Sequence, residues 1–136
     1  MDHREFQNLA LERLEDARAL LAAKRYAGAY YLAGYAIECA LKACISGLTM
    51  QDDFPPKDAA RYYVHDLAKL LESAGLGARL REEAASNERF EANWATAKDW
   101  TEEARYGARD QQQAEALLAA VGDPQHGVLQ WLRKYW

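Results

Sequence analysis

Two oppositely charged residues, Glu38 and Lys42, stand four positions apart in an alanine-rich stretch of the sequence. If this stretch is helical, both side chains lie on one face, with the glutamate first, which is the favourable order for an ion pair. The small neighbouring side chains indicate that the pair is partly enclosed, so further partners would be needed to offset desolvation. The pattern fits a structural pair that positions neighbouring helices, and it equally fits part of a functional face.

His65 and Arg105 have side chains suited to work on a phosphate. Histidine titrates near neutral pH, so His65 could act as a general acid or base; it could equally hydrogen-bond a loop carbonyl and fix the start of a helix. Arginine can bind a phosphate through two parallel hydrogen bonds, and Tyr106 beside Arg105 offers a ring on which a base could stack. The alternative for Arg105 is an ion pair with Glu38 inside the fold.

A second basic and aromatic cluster, Arg61-Tyr62-Tyr63, precedes His65. Such clusters bind single-stranded nucleic acid, although tyrosines that pack on a helical surface give the same pattern.

Other kinds of site find little support in the sequence. Cys39 and Cys44 lie on different parts of one predicted helix, which favours small buried side chains over a disulfide. The histidines are scattered and no glycine-rich phosphate loop occurs, so we expect no metal and no cofactor.

The composition is typical of a helical globular protein. Its 136 residues are rich in alanine, leucine, glutamate and arginine, and we expect one domain over residues 1–136. The net charge of -4 argues against a polyelectrolyte, but 17 lysines and arginines can build a local basic groove. The charged start is not a signal peptide, and no segment approaches the roughly 20 apolar residues of a membrane span. We therefore expect a cytoplasmic protein with no membrane contact.

Hydrophobic periodicity predicts an all-α, up-and-down bundle of five to six helices. The predicted helices cover about 4–24, 26–46, 65–74 and 80–106, with two more near the end of the chain. The second helix is expected to end at Gly47 and to be central because its side chains are small. Ser86 and Asn87 could interrupt the fourth. Asp110 should cap the fifth, and Asp123-Pro124 should start the last.

Three segments, in this order, resemble the HEPN domain (higher eukaryotes and prokaryotes nucleotide-binding). Residues 30–43 read YYLAGYAIECALKA, similar to the second-helix pattern of an alanine, a glutamate and then leucine-lysine-alanine. His65-Asp66-Leu67 is like the opening of the third helix of that family. Ala104-Arg105-Tyr106 is like the arginine–tyrosine pair that closes its fourth helix. The resemblance implies a HEPN-like helical bundle over nearly the whole chain.

The resemblance also implies a role in nucleic-acid processing. Many HEPN members are ribonuclease toxins encoded beside a small nucleotidyltransferase, and others are non-catalytic binding modules. Active members carry an arginine and, after four to six intervening residues, a histidine, and they dimerise around one RNA cleft. This sequence departs from that pattern, because only three residues separate Arg61 from His65. Ribonuclease activity therefore stays open.

The resulting hypothesis is a nucleotide- or RNA-binding protein of a prokaryotic toxin–antitoxin or defence module. It would act as a homodimer with a nucleotidyltransferase partner. His65 and Arg105 are its candidate catalytic residues. The candidate ligand-binding residues are Glu38, Lys42, Arg61, Arg105 and Tyr106. The alternative hypothesis is a non-catalytic, dimerising interaction module that binds no nucleotide.

Overall fold

A computed structural model describes residues 1–52 and 65–136, and these residues form helices and turns with no strand among them. The α-helices are α1 (His3–Ala22), α2 (Tyr26–Asp52), α3 (Leu67–Ser73), α4 (Gly77–Ser86), α5 (Glu88–Ala97), α6 (Gln111–Gly122) and α7 (Val128–Leu132), and a 3₁₀ helix covers Glu102–Tyr106. The all-α bundle predicted from the sequence is confirmed. Across both described ranges, no helix is long and apolar enough to cross a membrane.

Helix α2 lies at the centre of the fold, as its small side chains predict. It packs against α1, α3, α6, α7 and the 3₁₀ helix. The alanines of α2 that face these neighbours are fully buried, namely Ala29, Ala33, Ala36, Ala40 and Ala43. Alanine adds little bulk between helix axes, so several helices can approach α2 closely. Any polar side chain among these alanines is enclosed as well.

Aspartates begin three of the helices, because each carboxylate accepts a hydrogen bond from a backbone N–H of the first turn. Asp2 does so for α1, and Asp110 does so for α6 as predicted; both form capping boxes. Asp66 accepts from the backbone N–H of Lys69 at 3.0 Å and begins α3. His65 is therefore held directly before the first turn of α3.

Two predicted helix boundaries are wrong. Helix α2 does not end at Gly47 but continues to Asp52. Gly47 does not end the helix. It leaves space for the side chain of His3, since a Cβ atom there would lie 3.1 Å from Cε1 of His3. Asp123 does not cap the last helix either; its carboxylate accepts N–H groups of a turn, and α7 begins after Gly127.

The region predicted as one long helix over 80–106 is divided into α4, α5 and the 3₁₀ helix. Asn87 ends α4 and caps α5, where its side chain accepts the backbone N–H of Phe90 at 3.1 Å. Beyond α5 the chain turns, and Trp100 is almost completely buried. Its indole ring lies against Gly34 of α2. This contact brings the 3₁₀ helix onto α2.

The packing of Trp100 on Gly34 predicts a strong response to one added methyl group. A Cβ atom at Gly34 would overlap Cγ, Cδ1 and Cδ2 of Trp100, and both residues are buried. We expect Gly34→Ala to lower the free energy of unfolding by about 1–3 kcal/mol, because the ring cannot move without disturbing the core. Urea denaturation of the purified protein measures this change.

Gly28→Ala, in the same helix, is the matched control. Its added Cβ atom would lie 3.1 Å from Cδ1 of Leu20, the flexible end of a side chain. Alanine is also a better helix former by about 0.5–1 kcal/mol, so this variant should be close to neutral or more stable. Equal destabilisation by both substitutions would contradict the role assigned to Trp100.

Candidate functional site

A buried carboxylate, that of Glu38, is the centre of the candidate site. Glu38 lies on α2 and is only 1% exposed. Its Oε2 accepts a hydrogen bond from Nζ of Lys42 at 3.1 Å, and its Oε1 lies 3.1 Å from Nδ1 of His65. Lys42 is itself 8% exposed. Both oxygens of the carboxylate are thus partnered, which a buried charge requires.

His65 connects Glu38 to a second carboxylate, that of Glu102 in the 3₁₀ helix. Nε2 of His65 lies 3.3 Å from Oε2 of Glu102. A carboxylate oxygen is an acceptor, and only the protonated imidazole has N–H donors on both ring nitrogens, so the protonated ring satisfies both contacts. His65 therefore ties the start of α3 to α2 and to the 3₁₀ helix. Among the described residues the partners of both ring nitrogens are carboxylates, and the loop before His65, whose carbonyl was the alternative partner, lies outside the described residues.

Arg105 and Tyr106 lie at the surface beside this cluster. The guanidinium carbon of Arg105 is 4.6 Å from the centre of the Tyr106 ring, a cation–π distance. Both side chains are exposed, and Tyr106 is 78% exposed. The alternative pairing of Arg105 with Glu38 is wrong, because Lys42 and His65 already occupy the two oxygens of Glu38.

Tyr31 stands between the buried cluster and Arg105. Burial raises the pKa of Tyr31, the charge of Glu38 raises it further, and the charge of Arg105 opposes both. The Tyr31 ring is stacked on Tyr35, with ring centres 6.0 Å apart, and is tilted against Trp100 at 5.9 Å. Tyr31 thus interacts with both the enclosed Glu38 and the exposed Arg105.

Tyr31 and Glu102 belong to the site but were not predicted from the sequence. Tyr31 stands two helical turns before Glu38, so helical spacing alone could have placed both on one side of α2. Glu102 stands three residues before Arg105, which indicates a shared face, but nothing local links Glu102 to His65. Arg61, the remaining predicted ligand-binding residue, lies outside the described residues.

The enclosed residues of the site and its exposed arginine are suited to different chemical roles. Glu38, Lys42 and His65 contact one another, so both oxygens of the Glu38 carboxylate have partners inside the protein. Arg105 forms no ion pair with a carboxylate of residues 1–48 and 65–136, and its exposed side chain interacts with the hydroxyl-bearing rings of Tyr31 and Tyr106. In that part of the chain, no three or more His, Cys, Asp or Glu side chains form a group that could hold a metal ion. Anion binding at Arg105 is the chemistry that this geometry favours.

A comparison with protein families decides the classification. The family model described as "HEPN domain" matches residues 4–123, which include both Glu38 and Arg105. The chain belongs to the HEPN family. The resemblance seen in three short segments is thereby confirmed, and the match supports a HEPN-type protein with a nucleotide- or RNA-related role. The comparison with curated proteins gave no match, and neither did the comparison with solved structures.

The buried ion pair of this HEPN protein predicts a coupled loss of stability. Glu38→Met leaves the Lys42 ammonium enclosed and unpaired, and Lys42→Met removes one of the two partners of Glu38. We expect each variant to lower the free energy of unfolding by about 3–5 kcal/mol, because an uncompensated buried charge remains. The double variant should lose clearly less than the sum of the two, as urea denaturation in a double-mutant cycle would measure.

An exposed pair on α1 provides the control for that cycle. Arg18 Nη1 lies 2.7 Å from Glu15 Oε1 in the same helix, yet both side chains are solvated. Neutralising either of them should cost less than about 1 kcal/mol. Simple additivity at Glu38 and Lys42 would contradict the enclosed pair.

Three weakly acidic side chains of α2, two buried and one half-buried, predict a loss of stability at alkaline pH. Burial raises the pKa of Cys39 and of Cys44 from 9.0 to about 12. Burial, with the neighbouring Cys39, raises the pKa of Tyr35 from 10.0 to about 12. Between these values the unfolded chain releases protons that the folded protein keeps. The free energy of unfolding should therefore fall as the pH rises above about 9.

Urea denaturation at a series of pH values measures this decline. In a Cys39→Ala/Cys44→Ala variant the decline should be shallower between about pH 8 and pH 10, because the two thiols no longer contribute. Identical pH profiles for both proteins would show that the thiols do not cause the loss.

Proposed function

We propose that this HEPN protein binds a nucleotide or RNA at the surface formed by Arg105 and Tyr106. The observation that carries the proposal is an exposed guanidinium, unpaired with any carboxylate of the described chain, beside an exposed aromatic ring at 4.6 Å. The guanidinium can grip a phosphate through two parallel N–H groups, and the ring can stack a base. Family membership supports the same class of ligand.

In this proposal the buried cluster positions the binding residues. Glu102 and Arg105 share the 3₁₀ helix, and Glu102 contacts His65, which in turn contacts Glu38 on α2. Because Lys42 donates to Glu38 in its enclosed position and His65 joins Glu38 to Glu102, the cluster holds the 3₁₀ helix in register with α2. Glu38, Lys42 and His65 then act on ligand binding through geometry and not through direct contact.

Cleavage of a bound RNA would require catalytic groups in addition to the binding surface. In an endoribonuclease, Arg105 would stabilise the charge on the scissile phosphate and His65 would transfer the proton. The contacts of His65 with both Glu38 and Glu102 favour binding without cleavage, because a ring nitrogen must leave a carboxylate before it can serve RNA. The unmatched spacing from Arg61 points the same way.

The second candidate function is an interaction module that binds no nucleotide. The exposure of the Tyr106 ring supports it, because aromatic rings at protein surfaces often anchor interfaces. The partner would be a second copy of the chain or a nucleotidyltransferase-type protein in a prokaryotic toxin–antitoxin or defence module. A nucleotidyltransferase gene beside the gene of this protein would support that setting.

Substitutions at the surface should weaken ligand binding without weakening the fold. We expect Arg105→Ala and Tyr106→Ala each to raise the Kd for RNA or its best nucleotide about tenfold, through loss of a phosphate contact and of a stacking ring. Fluorescence anisotropy with labelled RNA and calorimetry with nucleotides measure the change. Arg133→Ala is the matched control, because Arg133 also lies over a neighbouring ring, that of Trp136, at 5.6 Å.

The same protein preparations separate the remaining hypotheses. Cleavage of total RNA that both His65→Ala and Arg105→Ala abolish would establish the endoribonuclease, and binding without cleavage would establish the binding module. If the protein binds neither nucleotides nor RNA, the proposed function fails. A stable homodimer that Tyr106→Ala disrupts would then favour the interaction module.

A further inference from the structure

A second arginine–tyrosine pair lies next to the Arg105–Tyr106 site. Arg109 stands in the turn between the 3₁₀ helix and α6, and its guanidinium carbon is 4.5 Å from the ring centre of Tyr30 on α2. Nη1 of Arg109 also donates to the carbonyl oxygen of Ala108 at 2.9 Å. The ring and the carbonyl fix the position of this guanidinium, while its side chain stays partly exposed.

Both arginines interact with residues in the N-terminal half of α2. Arg109 covers Tyr30, and Arg105 interacts electrostatically with the next residue, Tyr31. Tyr30 and Tyr31 are consecutive in one helix and so point in different directions around α2. The guanidinium of Arg109 is nevertheless folded back towards the 3₁₀ helix, because a Cβ atom built on Gly107, the residue after Tyr106, would lie 2.7 Å from its Nη1. Residues 105–109 therefore present two cations together with the exposed Tyr106 ring.

Two carboxylates of the same segment have partners of their own. Glu102 contacts His65 at 3.3 Å, and Asp110 accepts the backbone N–H of Gln113 at 2.8 Å as the cap of α6. Within residues 1–48 and 65–136, Arg109 forms no ion pair with a carboxylate. An external anion can therefore accept hydrogen bonds from N–H groups of these arginines other than the one that Arg109 donates to Ala108.

We propose that Arg109, held by Tyr30, binds a second phosphate, so that the ligand is a single-stranded nucleic acid and not a mononucleotide. This inference rests on the proposed function, since Arg105 and Tyr106 hold the first phosphate and a base. Stacking on Tyr30 occupies one face of the guanidinium, and one of its five edge N–H groups donates to Ala108, so the other edge N–H groups are the ones that can contact phosphate. A guanidinium that is fixed before binding loses little conformational freedom when a phosphate arrives.

Two other arginines of the protein also lie over aromatic rings and can be compared with Arg105 and Arg109. Arg79 lies over Tyr135 at 5.1 Å, and Arg133 lies over Trp136 at 5.6 Å. Both of these rings are partly covered, whereas Tyr106 is the one largely exposed aromatic ring in the described part of the chain. A strand needs an exposed ring as well as cations, so we assign the site to Arg105 and Arg109.

The experiment compares the binding of AMP with that of a single-stranded adenosine octamer, as RNA and as DNA. Arg109→Ala should lower the ratio of octamer affinity to AMP affinity about tenfold for both octamers, because the lost contact is to the backbone. Log K for the octamer falls as log salt rises, and in Arg109→Ala this dependence should be less steep by about 0.7, the value of one phosphate contact on a single strand. Tyr30→Ala, which keeps the cation but removes its support, should lower the same ratio by a smaller factor.

Arg79→Ala and Arg133→Ala are the matched controls and should leave both affinities as they are in the native protein. An unchanged thermal melting curve checks that each variant is folded. The inference is overturned if Arg109→Ala leaves the ratio unchanged, or if a control variant lowers it equally. If the native protein binds AMP but not the octamers, the proposed function stands and the second phosphate position fails. If it binds none of these ligands, the proposed function fails and this inference fails with it.

Discussion

The carboxylate of Glu38 is enclosed by the central helix of the bundle, and much of the surrounding structure follows from its need for partners. A charge that is 1% exposed is tolerated only when hydrogen bonds and opposite charge replace water. One partner, Lys42, comes from the same helix one turn later. The other, His65, comes from the start of α3 and must stay there. The carboxylate of Glu38 thus adds a polar contact to the apolar packing that Leu67, Leu70 and Leu71 provide for α3.

The surface of the site is supported by two contacts of different kinds. Glu102 meets His65 through a polar contact, while Trp100 packs on Gly34 through van der Waals contact. Both contacts attach the segment after α5 to α2. That segment carries Arg105, whose side chain is exposed beside Tyr106. Structural charges inside and ligand-binding charges outside are thus parts of one arrangement.

The helical signals in the sequence were reliable where they are local. Asp110 begins α6, as its side chain and position predict, because the bonds of an N-cap involve only the next few residues. Gly47 was misleading, since a glycine can end a helix or admit a neighbour, and here it admits His3. Asp123 was misleading for a similar reason, because an aspartate caps a turn as readily as a helix. The choice in each case depends on contacts that lie outside the local sequence.

The sequence by itself determined the all-α class, the HEPN family and the pairing of Glu38 with Lys42. A pair four residues apart on one helix meets whatever the helix packs against, so periodicity is sufficient to predict it. Only the tertiary structure decided that His65 bridges Glu38 and Glu102, and that Arg105 stays outside. Such contacts join segments far apart in the chain, and they depend on how closely the helices approach. Packing at Gly34 sets that approach for the 3₁₀ helix, and no local pattern of charges encodes it.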